Sequence, residues 1–203
     1  MPVRLLFLFV LSVGFVQGTH ATQYFYALPS GSQVVPTVDS PGTGLVSAFH
    51  DLDGTLDVDI AFSGLSSAVT SAQIRCCATE TTSAGVAIDL VAAGFPIGVT
   101  SGNFSHLFDL NDLGIYNPAF VTETYNIIPG ATVFDVHYRV AGSMERNIIA
   151  PGLGVAYLDI QTTLHPEGEL RGNFSLQVGV PEPATLMLLS CGLMGICAAR
   201  RRR

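Results

Sequence analysis

The amino-acid sequence predicts an all-β domain, an antiparallel sandwich or barrel. Short apolar segments alternate with polar residues at period two, and Gly and Pro divide them at short intervals. The 203-residue chain is also 48% hydrophobic, enough for one buried core and too much for a disordered chain.

Thr22–Leu28 is rich in aromatics and stops at Pro29-Ser30-Gly31, which reads as a strand and turn. Gln33–Gly44 contains Pro36, Pro41, Gly42 and Gly44 and reads as a loop. Leu45–Asp51, then Asp53-Gly54, then Thr55–Phe62 form the clearest hairpin, because Asp-Gly suits a tight turn that needs positive φ. In its second strand Leu56, Val58, Ile60 and Phe62 alternate with Thr55, Asp57, Asp59 and Ala61, so one face is core and two carboxylates face water. Further strands are expected over Val69–Cys76, Gly85–Leu90, Gly98–Leu110, Gly154–Thr162 and Glu169–Val178. One short helix is expected near 140–149, where Val140, Met144 and Ile148 recur every fourth residue before Pro151-Gly152. Phe134, Val136, Tyr138 and Val140 also alternate as a strand would.

Both ends read as addresses. Met1-Pro2-Val3-Arg4, the apolar run Leu5–Val16 and the small residues Gly18 and Ala21 have the layout of a secretory signal peptide over residues 1–21, cut by signal peptidase after Gly18 or Ala21. At the other end, Pro181-Glu182-Pro183 precedes a sixteen-residue apolar stretch, Ala184–Ala199, and the cluster Arg200, Arg201, Arg202 and Arg203. As a helix this stretch spans about 24 Å, short of the roughly 30 Å hydrocarbon core, and snorkelling Arg side chains extend it. The cations stay cytoplasmic, so the domain over residues 22–179 is placed outside. Residues 22–180 carry four Arg against fifteen acidic residues, a formal charge of −11 that repels nucleic acid and anionic lipid.

The segment 180–203 resembles a PEP-CTERM sorting signal, with its Pro-Glu-Pro motif, short membrane span and Arg cluster. The resemblance implies a Gram-negative bacterial source and an exosortase-type membrane protease that recognises the motif and trims the chain near it. It also implies an envelope or secreted product associated with exopolysaccharide or biofilm.

A second resemblance covers residues 24–176. Phe25-Tyr26-Ala27-Leu28 with Gly31-Ser32-Gln33-Val34-Val35-Pro36, Asp53-Gly54 with Ile60–Leu65, Ala156–Ile160, and His165-Pro166-Glu167-Gly168-Glu169-Leu170-Arg171-Gly172 follow in the order of a CHRD domain, the module named from chordin. The resemblance implies an immunoglobulin-like β-barrel distantly similar to copper–zinc superoxide dismutase. Where the family has a His-x-His pair this chain has Gln73 and Arg75, and where the family has a His before Thr it has Gln161. Gln is a poor ligand for transition metals and Arg repels a cation, which disfavours a metal site and a dismutase-like enzyme.

No other constellation carries chemistry. His50, His106, His137 and His165 are scattered, without a metal-binding spacing. Asp51, Asp53, Asp57 and Asp59 invite a calcium reading but place Phe62 where an EF-hand needs Glu. His165–Glu169 reads as a hairpin connection, with Arg171 a structural partner for Glu169. Asn103-Phe104-Ser105 and Asn173-Phe174-Ser175 fit the glycosylation pattern, incidental in a bacterial protein. Cys76 and Cys77 are adjacent and read best as two strand-end residues without a role; the alternatives are an intermolecular bond, a vicinal bond, or a soft metal.

The sequence therefore predicts a non-enzymatic exported protein of the envelope or extracellular matrix, with no cofactor. Its expected partners are signal peptidase, an exosortase, the membrane before processing, and exopolysaccharide or envelope proteins. The rival reading is a polysaccharide- or protein-binding module anchored by exposed aromatics such as Tyr24, Tyr26, Tyr116 and Tyr125.

Overall fold

The computed structural model describes residues 23–51, 53–145 and 154–177. The signal peptide with Gly18 and Ala21, the sorting segment with Pro181, Glu182, Pro183 and Arg200–Arg203, and the expected helix beyond residue 145 lie outside them. Among the described residues no helix is long and apolar enough to cross a membrane.

The strands in chain order are β1 (Gln23–Ala27), β2 (Thr43–His50), β3 (Thr55–Ser63), β4 (Val69–Ala78), β5 (Gly85–Asp89), β6 (Gly102–Asp109), β7 (Val155–Thr162), β8 (Leu170–Asn173) and β9 (Ser175–Gln177). They form two antiparallel sheets, β6-β3-β2-β1-β9 and β5-β4-β7-β8, consistent with a β-sandwich. Alternation dictates the core. Leu56, Val58, Ile60 and Phe62 on β3 turn inward, as do Val46 and Ala48 on β2, and they meet Ile74, Leu158 and Ile160 of the second sheet in one cluster. The expected hairpin is present, and Gly54 takes the positive φ, +89°, that the tight turn requires.

Three expectations change. Glu169–Val178 is not one strand. It breaks at the buried Phe174, so that β8 closes the second sheet and β9 joins the first beside β1. A two-sheet core needs such a crossing, and Phe174, fully enclosed, fills the space between the sheets while its N–H reaches Ala156 O. The strand expected from Gly98 begins at Gly102, because Val99 and Thr100 give their carbonyls to Val69 and Leu65 rather than to a ladder partner.

Two helices replace the single short one. The first, α1 (Pro118–Ile127), starts at Asn117, whose side chain caps the Ala119 N–H, with Pro118 in the first turn. The second, α2 (Val133–Glu145), begins well before Val140. Its residues satisfy both periods: the helix buries Val136, Val140 and Met144 and turns Phe134 and Tyr138 outward, their rings stacked with centroids 6.1 Å apart. The packing decides for helix, because this face lies on β4, β7 and β9.

The loop between β1 and β2 covers the second sheet and is tied to both sheets. Ser30 bridges Thr43, the first residue of β2, and Arg171 of β8. Glu169, fully buried, clasps three segments: it accepts hydrogen bonds from Ser40 Oγ (2.7 Å), the Ser66 N–H (2.6 Å) and Thr162 Oγ1 (2.7 Å). Burial alone pushes its carboxyl up, but the Ser66 backbone, Thr162 and Ser40 together hold it below its ordinary value. The expected pairing of Glu169 with Arg171 is replaced by these bonds, while Arg171 reaches the carbonyls of Thr79 and Thr82. Replacing Glu169 by Gln keeps the shape and weakens charge-assisted bonds, so Glu169→Gln is expected to cost about 2 kcal/mol, read from urea unfolding at neutral pH.

Candidate functional site

Gln73, Arg75 and Gln161, the residues read above as disfavouring a metal site, do converge. Antiparallel register puts Gln73 opposite Asp159, and Asp159 opposite Arg171, in one row across β4, β7 and β8. Arg75 Nε donates to Asp159 Oδ2 at 2.9 Å, and Gln161 Nε2 donates to the same oxygen at 3.2 Å. The Arg171 guanidinium carbon lies over the Tyr157 ring, 3.7 Å from its centroid. Burial pushes the Asp159 carboxyl up, against the pull of Arg75, Gln161 and Arg171. The remaining space, about 50 Å³ among Val34, Arg75, Tyr157 and Asp159, is small. A carboxylate between two fixed guanidinium groups is a structural anchor, and this donor set does not fit a metal ion. Gly168 makes the arrangement possible: its φ is +124°, and a Cβ there would strike Asp159 Oδ1.

Two of the scattered histidines meet in the fold. His50 ends β2 and His137 lies on α2, yet their Nε2 atoms are 2.8 Å apart and both residues are only 7% exposed. His50 Nδ1 contacts Gln23 Oε1 at 3.2 Å, and His137 Nδ1 is buried without a hydrogen-bond partner. These contacts assign the tautomers of a neutral pair: His50 donates through Nδ1 to Gln23, and His137 donates through Nε2 to His50. Burial first, then His137, lowers the His50 pKa to about 4, with Asp51 opposing; burial likewise lowers that of His137. The pair is 87 positions apart in the chain, and no sequence spacing signals it. His106, by contrast, stays between the Phe104 and Phe108 rings, and His165 sits in the β7–β8 turn.

Cys76 and Cys77 are joined as a vicinal disulfide, against the expectation that they have no role. The β4–β7 register slips between Arg75 and Ala78, a bulge that lets consecutive side chains turn to one side. Both sulfur atoms lie against the Arg139 carbonyl of α2, at 3.4 and 3.6 Å, and Ser143 donates to Cys77 Sγ at 3.3 Å. The bonded pair thus forms part of the seat of α2. Arg139 itself is buried, bound to Thr124 and Glu123 of α1 and set over Phe120.

The aspartates of the first hairpin separate. Asp57 and Asp59 point outward from β3, and Asp51 and Asp53 stay at the turn. Among the described residues no group of three or more His, Cys, Asp and Glu is placed to hold a metal ion.

Of the four tyrosines taken as anchors, Tyr116 is buried and bonds Leu110 O, and Tyr125 lies exposed on α1. Tyr24 and Tyr26 share the outer face of the five-stranded sheet, 53% and 44% exposed. Register aligns that face in rows: Tyr24, Phe49, Asp57 and Leu107 form one, and Tyr26, Ser47, Asp59 and Ser105 the next. Tyr24 meets Phe49 edge-on, ring centroids 4.8 Å apart. Beside them, two joined depressions of about 410 and 520 Å³ run along Leu45, Ala61 and Asn103, because Ala61 is small between larger neighbours. This face, which no other described element covers, is the candidate binding surface.

Fold and face describe a β-domain with a structural charge anchor and an open, ring-bearing sheet. The family model of the CHRD domain matches residues 25–174, and the chain belongs to that family. A PEP-CTERM protein-sorting motif matches residues 179–203, which marks the chain for export, transient membrane anchoring and sorting by an exosortase. No curated protein and no solved structure matches the chain.

Two measurements check these side chains. A neutral buried histidine binds fewer protons than the unfolded chain, so stability is complete above pH 6.5 and declines as the pH falls toward about 4. Between pH 7.5 and 5 His50 alone is expected to account for a loss on the order of 1–2 kcal/mol, absent from His50→Gln in urea unfolding. The disulfide predicts that denatured, unreduced protein takes up no alkylating agent at Cys76 or Cys77, and that reduction exposes both, read by peptide mass.

Proposed function

We propose that this protein is a non-catalytic component of the cell envelope or extracellular matrix, cut near Pro181-Glu182-Pro183 and released from its membrane tail. The observation that carries this reading is the order of the two matched segments, a whole β-domain followed directly by the sorting motif. The buried polar groups support it: Asp159, Glu169, Arg139 and Arg171 are engaged in holding loops and strands together. The sandwich is read as a variant of the immunoglobulin-like arrangement. Association with exopolysaccharide or a biofilm matrix follows from the sorting route and the −11 charge, which keeps the domain soluble outside the cell.

A second reading, a binding module for an envelope polymer, is favoured by the shared exposure of Tyr24 and Tyr26 beside the depressions on the outer sheet face. Rings on a flat face bind extended ligands without needing a deep pocket.

Processing is tested by intact-mass measurement of the protein from its native host. The expected mass lacks the tail from the Pro-Glu-Pro motif onward, and the signal segment up to Gly18 or Ala21. Full-length chain held stably in the inner membrane would overturn the proposal.

A further inference from the structure

We propose that the outer face of the β6-β3-β2-β1-β9 sheet binds an amine-bearing polysaccharide, a glycan whose sugars carry free ammonium groups. The inference rests on the binding-module reading and names its ligand.

Charge selects the ligand. The five strands contain no Arg, and the chain has no Lys. Their acidic residues, Asp57, Asp59 and Asp109, all stand on outward positions. Among the described residues no hydrogen bond or ion pair engages the carboxylate of Asp57 or Asp59. Two uncompensated carboxylates repel uronate, sulfate or phosphate groups and form charge-assisted hydrogen bonds with ammonium.

Shape selects a glycan over a basic peptide. Peptides that join sheets use free main-chain groups at an edge. Here β1, β2 and β3 are paired on both sides, so the face offers only side chains. Besides Phe49, Leu45 and Leu107, they include two tyrosine rings, about 7 Å apart along β1, with each Asp about 10 Å away across two strand intervals. The depressions lie beyond Asp59, with the hydroxyls of Ser47 and Ser105 on their rim. A sugar ring stacked on Tyr24 or Tyr26 leaves the next rings of the polymer to lie over Asp57, Asp59 and the depressions. Rings, carboxylates and hydroxyls are the groups such a polymer presents partners for: C–H faces, ammonium and hydroxyl.

The test is isothermal titration calorimetry on the full chain in mild detergent at low salt, with a glucosamine hexasaccharide, its fully N-acetylated counterpart and hexalysine. The glucosamine oligomer is expected to bind about ten-fold or more tightly than the other two, and to weaken as salt is added. The double variant Asp57→Asn/Asp59→Asn, exposed and isosteric, is expected to lose that ten-fold preference while keeping wild-type circular dichroism and thermal unfolding. Tyr24→Ala/Tyr26→Ala is expected to lose binding of the glycan. Equal binding of the free-amine and acetylated oligomers overturns the ammonium assignment but leaves the binding-module reading standing. Hexalysine binding as tightly as the glucosamine oligomer overturns the glycan. Silence toward all three overturns the binding-module reading along with it.

Discussion

Asp159 is a carboxylate buried in the middle of β7, and the layer outside the four-stranded sheet is arranged around it. A charge taken out of water needs partners, and here they come from both neighbouring strands: Arg75 from β4 by direct contact, Arg171 from β8 by proximity and by its stack on Tyr157. Arg171 in turn reaches Thr79 and Thr82, and its backbone pairs with Ser30, so the β1–β2 loop and the β4–β5 turn are drawn onto the same sheet. Gly168 lets the β7–β8 turn pass close to the carboxylate. Removing Arg75 would take from the buried Asp159 carboxylate its direct ion pair, which leaves a buried charge less well matched.

Antiparallel pairing brings positions 73, 75, 159 and 161 together whatever residues fill them. In this chain the side chains at that junction supply positive charge and one carboxylate, so the junction works as a joint between strands. The two faces of the sandwich have consequently divided: the second sheet is roofed and electrostatically closed, and the first is bare, aromatic and acidic.

Much of this was legible in the sequence. The Asp53-Gly54 hairpin and the outward Asp57 and Asp59 follow from period-two alternation and turn chemistry, and the β4, β5 and β7 segments from short strand-forming runs set between turn residues, all of which act over a few residues. The break at Phe174 was not legible, because a strand that changes sheets keeps its local pattern. Of α2 only the C-terminal part was legible, from the helical spacing of Val140 and Met144, because Phe134–Val140 suit a strand as well as a helix until something must be covered. The His50–His137 contact depends on how α2 meets β2, and no spacing encodes that, whereas the adjacency of Cys76 and Cys77 already admitted the bond that joins them.

By itself the sequence determined the class of domain and its destination, since alternation, turn residues and terminal signals are properties of neighbouring residues. Which charges are buried, which histidines touch and which sheet stays bare were decided by the tertiary structure alone. Those outcomes belong to pairs of residues far apart in the chain, and only the closing of two sheets over one core sets the distance between them.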